Sequence, residues 1–154
     1  IDSMNSFSGL PHRFEIFLKK KNITFINDSK ATSFKATQLA LYSLKNIYWI
    51  FGGLPKKKDR LNISSFKKNI LKCYIIGKHI NFFKNQIKNK FTFSETKNLK
   101  NSIIQILKDA KSQKNINISI LLSPAAASFD QFKNFEIRGN EFKRLCKIYA
   151  KKFI

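Results

Sequence analysis

Short apolar runs alternate along the chain with longer segments in which apolar residues recur at helical spacing. Residues 12–19 and 23–26 predict two strands, and a Lys-Lys-Asn turn at residues 20–22 joins them into an antiparallel hairpin. Four further apolar runs predict strands at residues 47–51, 73–76, 91–93 and 116–122. Helical spacing predicts helices at residues 34–44, 64–71, 79–87, 99–110 and about 140–151.

This alternation of strands and helices predicts the fold class. Most of the strands are short and apolar throughout, which is typical of a parallel sheet covered on both faces. We therefore expect an α/β fold, a three-layer, Rossmann-like domain with a mostly parallel sheet of about six strands. The first strand, at residues 12–19, is expected to be the one antiparallel strand at an edge of the sheet.

Three loops that follow strands carry polar or small residues suited to a ligand. They are NDSKAT at residues 27–32, GGLPK at 52–56 and SPAAASFDQ at 123–131. In an open parallel sheet such loops emerge along one edge, where ligands bind, so their convergence favours a binding site. Taken alone, the first loop is explained equally well by a turn at Asn27 and Asp28 followed by a helix cap at Thr32 or Ser33.

The charge of the chain suggests a second class of function. The chain has 154 residues, the size of one ordinary domain, and a formal net charge of +21, which is typical of a basic nucleic-acid-binding α/β module. However, the excess is almost all lysine scattered over the whole length, with arginine only at positions 13, 60, 138 and 144. Because base-reading surfaces favour arginine, we expect a solvated lysine-rich surface and no nucleic-acid partner.

Other sequence features bear on location. No apolar run approaches the roughly 20 residues of a membrane span, and nothing at the N-terminus resembles a signal peptide, so we expect no membrane partner. Cys73 and Cys146 lie far apart without the spacing of metal ligands, which favours reduced, half-buried cysteines in a cytoplasmic protein and no metal site. The first residue is Ile1 rather than Met, which indicates a piece of a longer chain.

Four motifs together resemble a known family. They are GLPHR at residues 9–13, NDSKAT at 27–32, a Gly pair followed three positions on by Lys56, and LSPAAASFDQFKNFEIRGNEF at 122–142. Their order and spacing over nearly the whole chain resemble the C-terminal domain of the D-glutamate-adding Mur ligases. The resemblance implies that residues 1–8 are an interdomain linker and residues 9–154 the amino-acid-binding domain. The UDP-binding and central ATP-binding domains of the family would lie outside this chain.

The resemblance also implies a reaction. In that family ATP phosphorylates the carboxylate of UDP-MurNAc-L-alanine, the amine of D-glutamate attacks the acyl phosphate, and the tetrahedral intermediate collapses to the amide with release of phosphate. It thus implies a monomeric, cytoplasmic ligase of peptidoglycan synthesis with ATP, D-glutamate and UDP-MurNAc-L-alanine as substrates. ATP and Mg²⁺ would be held mainly by the central domain, and the present chain has no GxxxxGK[ST] phosphate loop. This fragment alone is expected to be inactive.

Matching positions assign three residues to the nucleotide. Arg13 matches the arginine that reaches the nucleotide across the domain junction, where a guanidinium suits ribose and phosphate oxygens. Asp28 matches the carboxylate that accepts hydrogen bonds from the ribose hydroxyls. His12 is placed with them, and ordering of a hinge near residues 9–11 is its alternative role.

Matching positions assign five residues to D-glutamate and to the reaction. Thr32 and Lys56 match the positions that hold its α-carboxylate. Ser128 and Phe135, the latter through its backbone N–H, match those that hold the side-chain carboxylate. Lys30 is the expected catalytic cation near the developing negative charge. Scaffolding roles are expected for the neighbouring Asp130, Gln131, Phe132, Glu136 and Arg138.

One departure from the family pattern concerns the second loop. Leu54 and Pro55 stand before Lys56, where many members carry an acidic residue, so no carboxylate remains there to orient the lysine. Lys57 and Lys58 follow directly, and the register of the motif favours Lys56 as the ligand contact. A non-catalytic paralogue of the ligase domain is the alternative that this departure leaves open.

Overall fold

Six strands form one sheet in a computed structural model, which describes residues 10–62 and 65–154. The strands are β1 (Glu15–Lys20), β2 (Ile23–Asn27), β3 (Ile47–Gly52), β4 (Ile70–Ile76), β5 (Phe93–Lys97) and β6 (Ile118–Leu122). Their spatial order is β1-β2-β6-β3-β4-β5. β1 pairs antiparallel with β2, and the other neighbouring pairs are parallel. The predicted sheet with one antiparallel edge strand is confirmed, whereas the predicted linker at residues 1–8 lies outside the described residues.

Helices cover both faces of the sheet. They are α1 (Phe34–Ser43), α2 (Ile80–Ile87), α3 (Leu99–Ala110) and α4 (Phe135–Phe153). Because successive strand residues point to opposite faces, Tyr48 and Ile50 pack with α3 and α4, whereas Trp49 and Phe51 pack with α1 and α2. Every residue of β3 is buried, as expected for a central strand between two cores. The three-layer α/β fold is confirmed, and no helix in the described ranges is long and apolar enough to cross a bilayer.

The helix predicted at residues 64–71 is wrong in the part that the structure describes. Residues 67–69 form a short 3₁₀ helix, and β4 begins at Ile70, which pairs with Ile47 of β3. Asn69 is buried there, and its side-chain amide donates to the carbonyl oxygen of Leu41. The apolar residues at 70 and 71 extend the strand that follows them instead of completing a helical stripe.

Several predicted helix and strand boundaries also differ from the observed ones. The last helix begins at Phe135 rather than near residue 140, because the side chain of Asn134 accepts the backbone N–H of Ile137 and caps it. The fifth strand is Phe93–Lys97 rather than residues 91–93. β1 begins at Glu15 rather than residue 12, because positive φ angles at residues 12 and 14 make the preceding segment a turn. The two cysteines, predicted half-buried, are free and buried.

The position of β6 decides which loops meet. β6 is the last strand in the chain, yet it lies between β2 and β3 and is parallel to both. The carboxyl ends of these three strands are therefore adjacent at one edge of the sheet. The three loops with candidate ligand residues leave from those ends, with the loop after β6 in the middle.

Candidate functional site

Backbone hydrogen bonds join the three loops side by side. The N–H of Ala125 donates to the carbonyl oxygen of Ala31 at 2.9 Å, which ties the loop after β6 to the loop after β2. Leu54 and Ala127 exchange two hydrogen bonds of 2.9 and 3.1 Å, which tie the loop after β6 to the loop after β3. The predicted convergence of the three loops is confirmed.

The close approach of these loops depends on Gly53. Its φ is +141°, and a Cβ built there would lie 2.4 Å from the carbonyl oxygen of Ala127. Such a contact is with backbone that cannot move aside, so a larger residue would push the second and third loops apart.

Arg138 of α4 joins the first and third loops through hydrogen bonds to both. The residue is 1% exposed, and its guanidinium donates to the carbonyl oxygen of Ser29, to the hydroxyl of Ser29 and to the carbonyl oxygen of Ala126. Burial lowers the pKa of Arg138 to about 10, with Asp130 opposing the shift. The scaffolding role predicted for this arginine is confirmed.

Two further predicted scaffolding residues tie the third loop to the loops after β4 and β5. The carboxylate of Asp130 accepts the backbone N–H of Lys78 at 2.9 Å. The side-chain amide of Gln131 donates to the carbonyl oxygen of Lys97 at 2.8 Å. Phe132 packs against the core on the α3 and α4 face, and Glu136 is exposed in the first turn of α4.

A cavity of about 1000 Å³ opens beside the first loop. Three of the predicted site residues line it, namely Arg13, Asp28 and Lys30. Its apolar lining includes Leu10 and Leu39, which are 68% and 72% exposed. The cavity therefore combines two cations and two carboxylates, those of Asp28 and Glu15, with an open apolar rim, a lining that suits a ligand with polar and apolar parts.

The carboxylate of Asp28 is held in a fixed orientation. One oxygen accepts the backbone N–H of Phe14 at 3.0 Å, and the other accepts the hydroxyl of Ser123 at 2.7 Å. Burial raises the pKa of Asp28, although these two hydrogen bonds and the charge of Arg13 oppose the shift. Each oxygen keeps a second lone pair, so the side chain can still accept hydrogen bonds from a ligand in the cavity.

His12 lies behind the cavity rather than on its wall. It is 7% exposed, and its Nδ1 lies 2.9 Å from the side-chain amide nitrogen of Asn27. The amide nitrogen can only donate, so Nδ1 accepts and the ring is neutral with its proton on Nε2. Burial lowers the pKa of His12, with Glu15 and Glu136 opposing the shift and Lys143 adding to it. This environment supports the alternative role of ordering the chain before β1.

Glu15 fixes the turn that carries Arg13. His12 and Phe14, on either side of Arg13, have φ angles of +64° and +47°. The carboxylate of Glu15 accepts the backbone N–H of His12 at 3.1 Å and pairs with Lys143 of α4 at 2.9 Å. Burial disfavours the charged form of Glu15, but its hydrogen bonds with Lys143 and His12 lower its pKa overall.

Lys30 and Phe135 contact each other next to the cavity. The ammonium of Lys30 lies 5.0 Å from the centre of the Phe135 ring, a cation–π contact. The carbonyl oxygen of Phe135 accepts the hydroxyl of Ser29 at 2.8 Å, which docks the first turn of α4 on the first loop. The start of α4 therefore lies at the same edge of the sheet as the loops.

Thr32, Lys56 and Ser128 do not line the cavity with Arg13 and Asp28. They lie on the three joined loops at the same edge, where Thr32 precedes the N-cap of α1, Ser128 is 2% exposed, and Lys56 is exposed. The three loops, from whose convergence a binding site was expected, thus form two neighbouring regions that share the first loop.

Five residues that position the site were not assigned from the sequence. They are Glu15, Ser29, Asp59, Ser123 and Lys143. Each acts through a partner far along the chain, which local patterns do not show. Ser29 and Ser123 did carry a signal, since both lie in loops that the sequence marks as candidate ligand loops. Among the described residues, no group of three His, Cys, Asp or Glu side chains is placed to hold a metal ion.

Relatives of the chain share its sequence over nearly its whole length. It is 40% identical over 151 residues to a UDP-N-acetylmuramoylalanine–D-glutamate ligase of Wolbachia sp. subsp. Brugia malayi, covering 98% of the chain and 30% of that protein. The ligase of the same name from Rhizobium meliloti is 39% identical over 92% of the chain and 31% of its own length. The chain is homologous to the C-terminal part of the D-glutamate-adding Mur ligases. No protein-family model matches it.

The fold agrees with this homology to the Mur ligases. The crystal structure of MurF ligase from Thermotoga maritima in complex with ADP matches 96% of the chain and 33% of its own length, with a TM-score of 0.52 at 14% identity. The chain spans about a third of the length of the curated relatives that it matches. This region is therefore one part of a larger ligase architecture in those proteins.

Proposed function

We propose that this chain is the amino-acid-binding C-terminal domain, residues 9–154, of an ATP-dependent ligase that adds D-glutamate to UDP-MurNAc-L-alanine through an acyl phosphate. Residues 1–8 would link it to the domains that bind UDP and ATP. The observation that carries the proposal is the 40% identity, over 98% of the chain, to ligases named for D-glutamate. Peptidoglycan synthesis, a cytoplasmic location and a monomeric state are parts of the same proposal.

The cavity beside the first loop would take the nucleotide. Arg13 offers a planar donor to ribose or phosphate oxygens, and the fixed carboxylate of Asp28 offers an acceptor to ribose hydroxyls. The exposed Leu10 and Leu39 would meet the apolar faces of the base or of the domain that closes over it. His12 would contribute by holding the Arg13 turn.

The joined loops would take D-glutamate. Lys56 and Thr32 would hold its α-carboxylate, and Ser128 with the backbone N–H of Phe135 would hold its side-chain carboxylate. The start of α4 suits that second role because the first N–H groups of a helix favour an anion. Two fixed carboxylates leave the amine as the free end of the ligand, oriented to attack.

Lys30 would act between the two regions. It lines the nucleotide cavity, and its ammonium lies on the Phe135 ring, beside the proposed amino-acid subsite. A cation there stabilises negative charge that develops on the acyl oxygen as the amine adds. This chain offers no fitting set of metal ligands among its described residues, so the Mg²⁺ expected for the reaction is assigned to the other domains and to no step here.

The proposal is tested on the full-length protein with this chain as its C-terminal part. Phosphate release should require ATP, UDP-MurNAc-L-alanine and D-glutamate together. The product should be the amide of UDP-MurNAc-L-alanine with D-glutamate. Lys56→Ala should raise the KM for D-glutamate while the KM for ATP stays the same. A folded protein that binds these compounds but forms no amide would indicate the non-catalytic paralogue instead.

The nucleic-acid alternative rests on the net charge of +21 alone. Exposed lysines such as Lys35 on α1 and Lys147 on α4 lie on opposite faces of the sheet. The charge is thus spread over the surface rather than gathered on one stripe, which favours the ligase.

A further inference from the structure

The second loop closes on itself after Lys56. The backbone N–H of Asp59 donates to the carbonyl oxygen of Lys56 at 3.0 Å, so residues 56–59 form a turn. The lysines of this turn are exposed. Before the turn, Leu54 is held by backbone hydrogen bonds to Ala127. The position of Lys56 therefore depends on what holds the far end of the turn.

The carboxylate of Asp59 holds that end against α1. One of its oxygens accepts the backbone N–H of Phe34, the first residue of α1, at 2.9 Å. Ser33 caps the same helix by accepting the N–H of Ala36, so two side chains from different loops share the cap. α1 has no acidic residue of its own in the first turn, and Asp59 supplies the negative charge that a helix start favours.

Gln86 of α2 fixes the backbone around Asp59. Its side-chain oxygen accepts the N–H of Leu61 at 2.8 Å, and its amide donates to the carbonyl oxygen of Asp59 at 3.4 Å. Asp59 is thus held from both sides, by the start of α1 and by α2. Thr32 lies two residues before Phe34, so a bond at Phe34 sets the distance between the Thr32 segment and the Lys56 turn.

We propose that Asp59 is a positioning residue of the amino-acid subsite, and that its bond to the start of α1 places Lys56 opposite Thr32. This inference rests on the proposed function. Leu54 and Pro55 stand where many family members carry an acidic residue before the lysine. In this chain, the carboxylate of Asp59, three residues after Lys56, would take over the role of positioning the lysine.

Steady-state kinetics of the full-length ligase test the inference. Asp59→Ala should raise the KM for D-glutamate about tenfold, the equivalent of one capping hydrogen bond, with the KM for ATP within about twofold. Asp59→Asn keeps an acceptor for the Phe34 N–H and should restore most of the affinity. The matched control is Glu95→Ala on the edge strand β5, which removes an exposed carboxylate paired with Lys84 of α2 and should change neither KM.

A double-mutant cycle separates positioning from general support of the fold. If Asp59 acts through Lys56, Asp59→Ala should have little further effect on the KM for D-glutamate in a Lys56→Ala background. Additive effects, equal rises in both KM values, or an Asp59→Asn variant as impaired as Asp59→Ala would each overturn the inference. Should Asp59→Ala fail to fold, Asp59→Ser, which is too short to reach Phe34, replaces it with the same expectation.

The failure of this inference differs from the failure of the proposed function. A wild-type protein that makes no amide with D-glutamate overturns the function itself. A wild-type protein that makes the amide, with Asp59→Ala indistinguishable from it, overturns only the role of Asp59.

Discussion

The guanidinium of Arg138 donates to both oxygens of Ser29, at 2.7 Å to the carbonyl and 3.0 Å to the hydroxyl. The same hydroxyl donates onward to the carbonyl oxygen of Phe135, so an arginine in α4 and a serine after β2 together lock the start of α4 onto the first loop. Residues 109 positions apart in sequence thus fix the geometry of one edge of the sheet.

Replacement of Arg138 by leucine is expected to lower the free energy of unfolding by about 3 kcal/mol. The change leaves the buried carbonyl oxygens of Ser29 and Ala126 without the donor they now have. Urea denaturation followed by circular dichroism measures the loss. Arg144→Leu is the control, because that exposed arginine pairs with Glu141, three residues before it on the same helix. The unfolding midpoint of this variant should equal that of the wild type. Equal midpoints for the two variants would contradict the prediction.

Asp28→Asn is expected to separate stability from nucleotide binding. Asparagine can still accept the N–H of Phe14 and can donate to the hydroxyl of Ser123. The substitution also removes the charge of a carboxyl group whose pKa is raised by burial. The unfolding midpoint should therefore stay the same or rise at pH 7. The KM for ATP should nevertheless rise, because a neutral amide accepts more weakly from ribose hydroxyls than a carboxylate does. A variant with unchanged KM for ATP would exclude Asp28 as a nucleotide ligand.

Stability should fall as the pH drops below the ordinary histidine pKa of 6.5. His12 is neutral in the fold and its pKa is lowered, so the unfolded chain binds a proton that the folded chain rejects. The effect is absent above pH 6.5, grows below it, and levels off once the pH passes the lowered pKa of the folded state. Thermal unfolding between pH 5 and pH 8 measures it. His12→Gln should flatten the profile in this range, whereas His79→Gln, at the exposed second histidine, should leave it unchanged.

Lys143→Met is expected to raise the KM for ATP about fivefold without changing the KM for D-glutamate. The variant removes the partner of Glu15, whose carboxylate holds the turn that presents Arg13, and a partly buried ion pair of this kind contributes about 1 kcal/mol. Lys143→Arg should restore the pair and the affinity. Lys147→Met, one helical turn away and exposed, is the control. If Lys143→Met and Lys147→Met gave the same KM for ATP, the turn would not depend on the pair.

Local patterns predicted the parts of the fold that depend on local interactions. The α3 helix was predicted with its observed bounds because its apolar residues recur at helical spacing over three turns. At residues 67–71 the same spacing arises by chance, and pairing of Ile70 with Ile47 decides the outcome. Such pairing across the sheet leaves no periodic trace in either segment alone.

The candidate site shows the same division between local and long-range information. Sequence motifs identified the loops and the residues that would touch ligands, such as Asp28 and Lys56. They did not identify Asp59 or Glu15, because the sequence around a carboxylate looks the same whether the side chain binds a partner far along the chain or faces solvent. The assignment of His12 to the nucleotide stays a prediction, and its buried hydrogen bond to Asn27 favours a role in holding the turn.

The place of β6 in the sheet also bears on how the molecule is made. Before β6 is inserted, the β1–β2 hairpin and the β3–β4–β5 sheet have no strand pairing with each other. During synthesis, strand pairing can therefore join the first and second loops only after β6, residues 118–122, has been made. The ligand-binding edge therefore depends on β6, which is synthesised after the other five strands of the sheet.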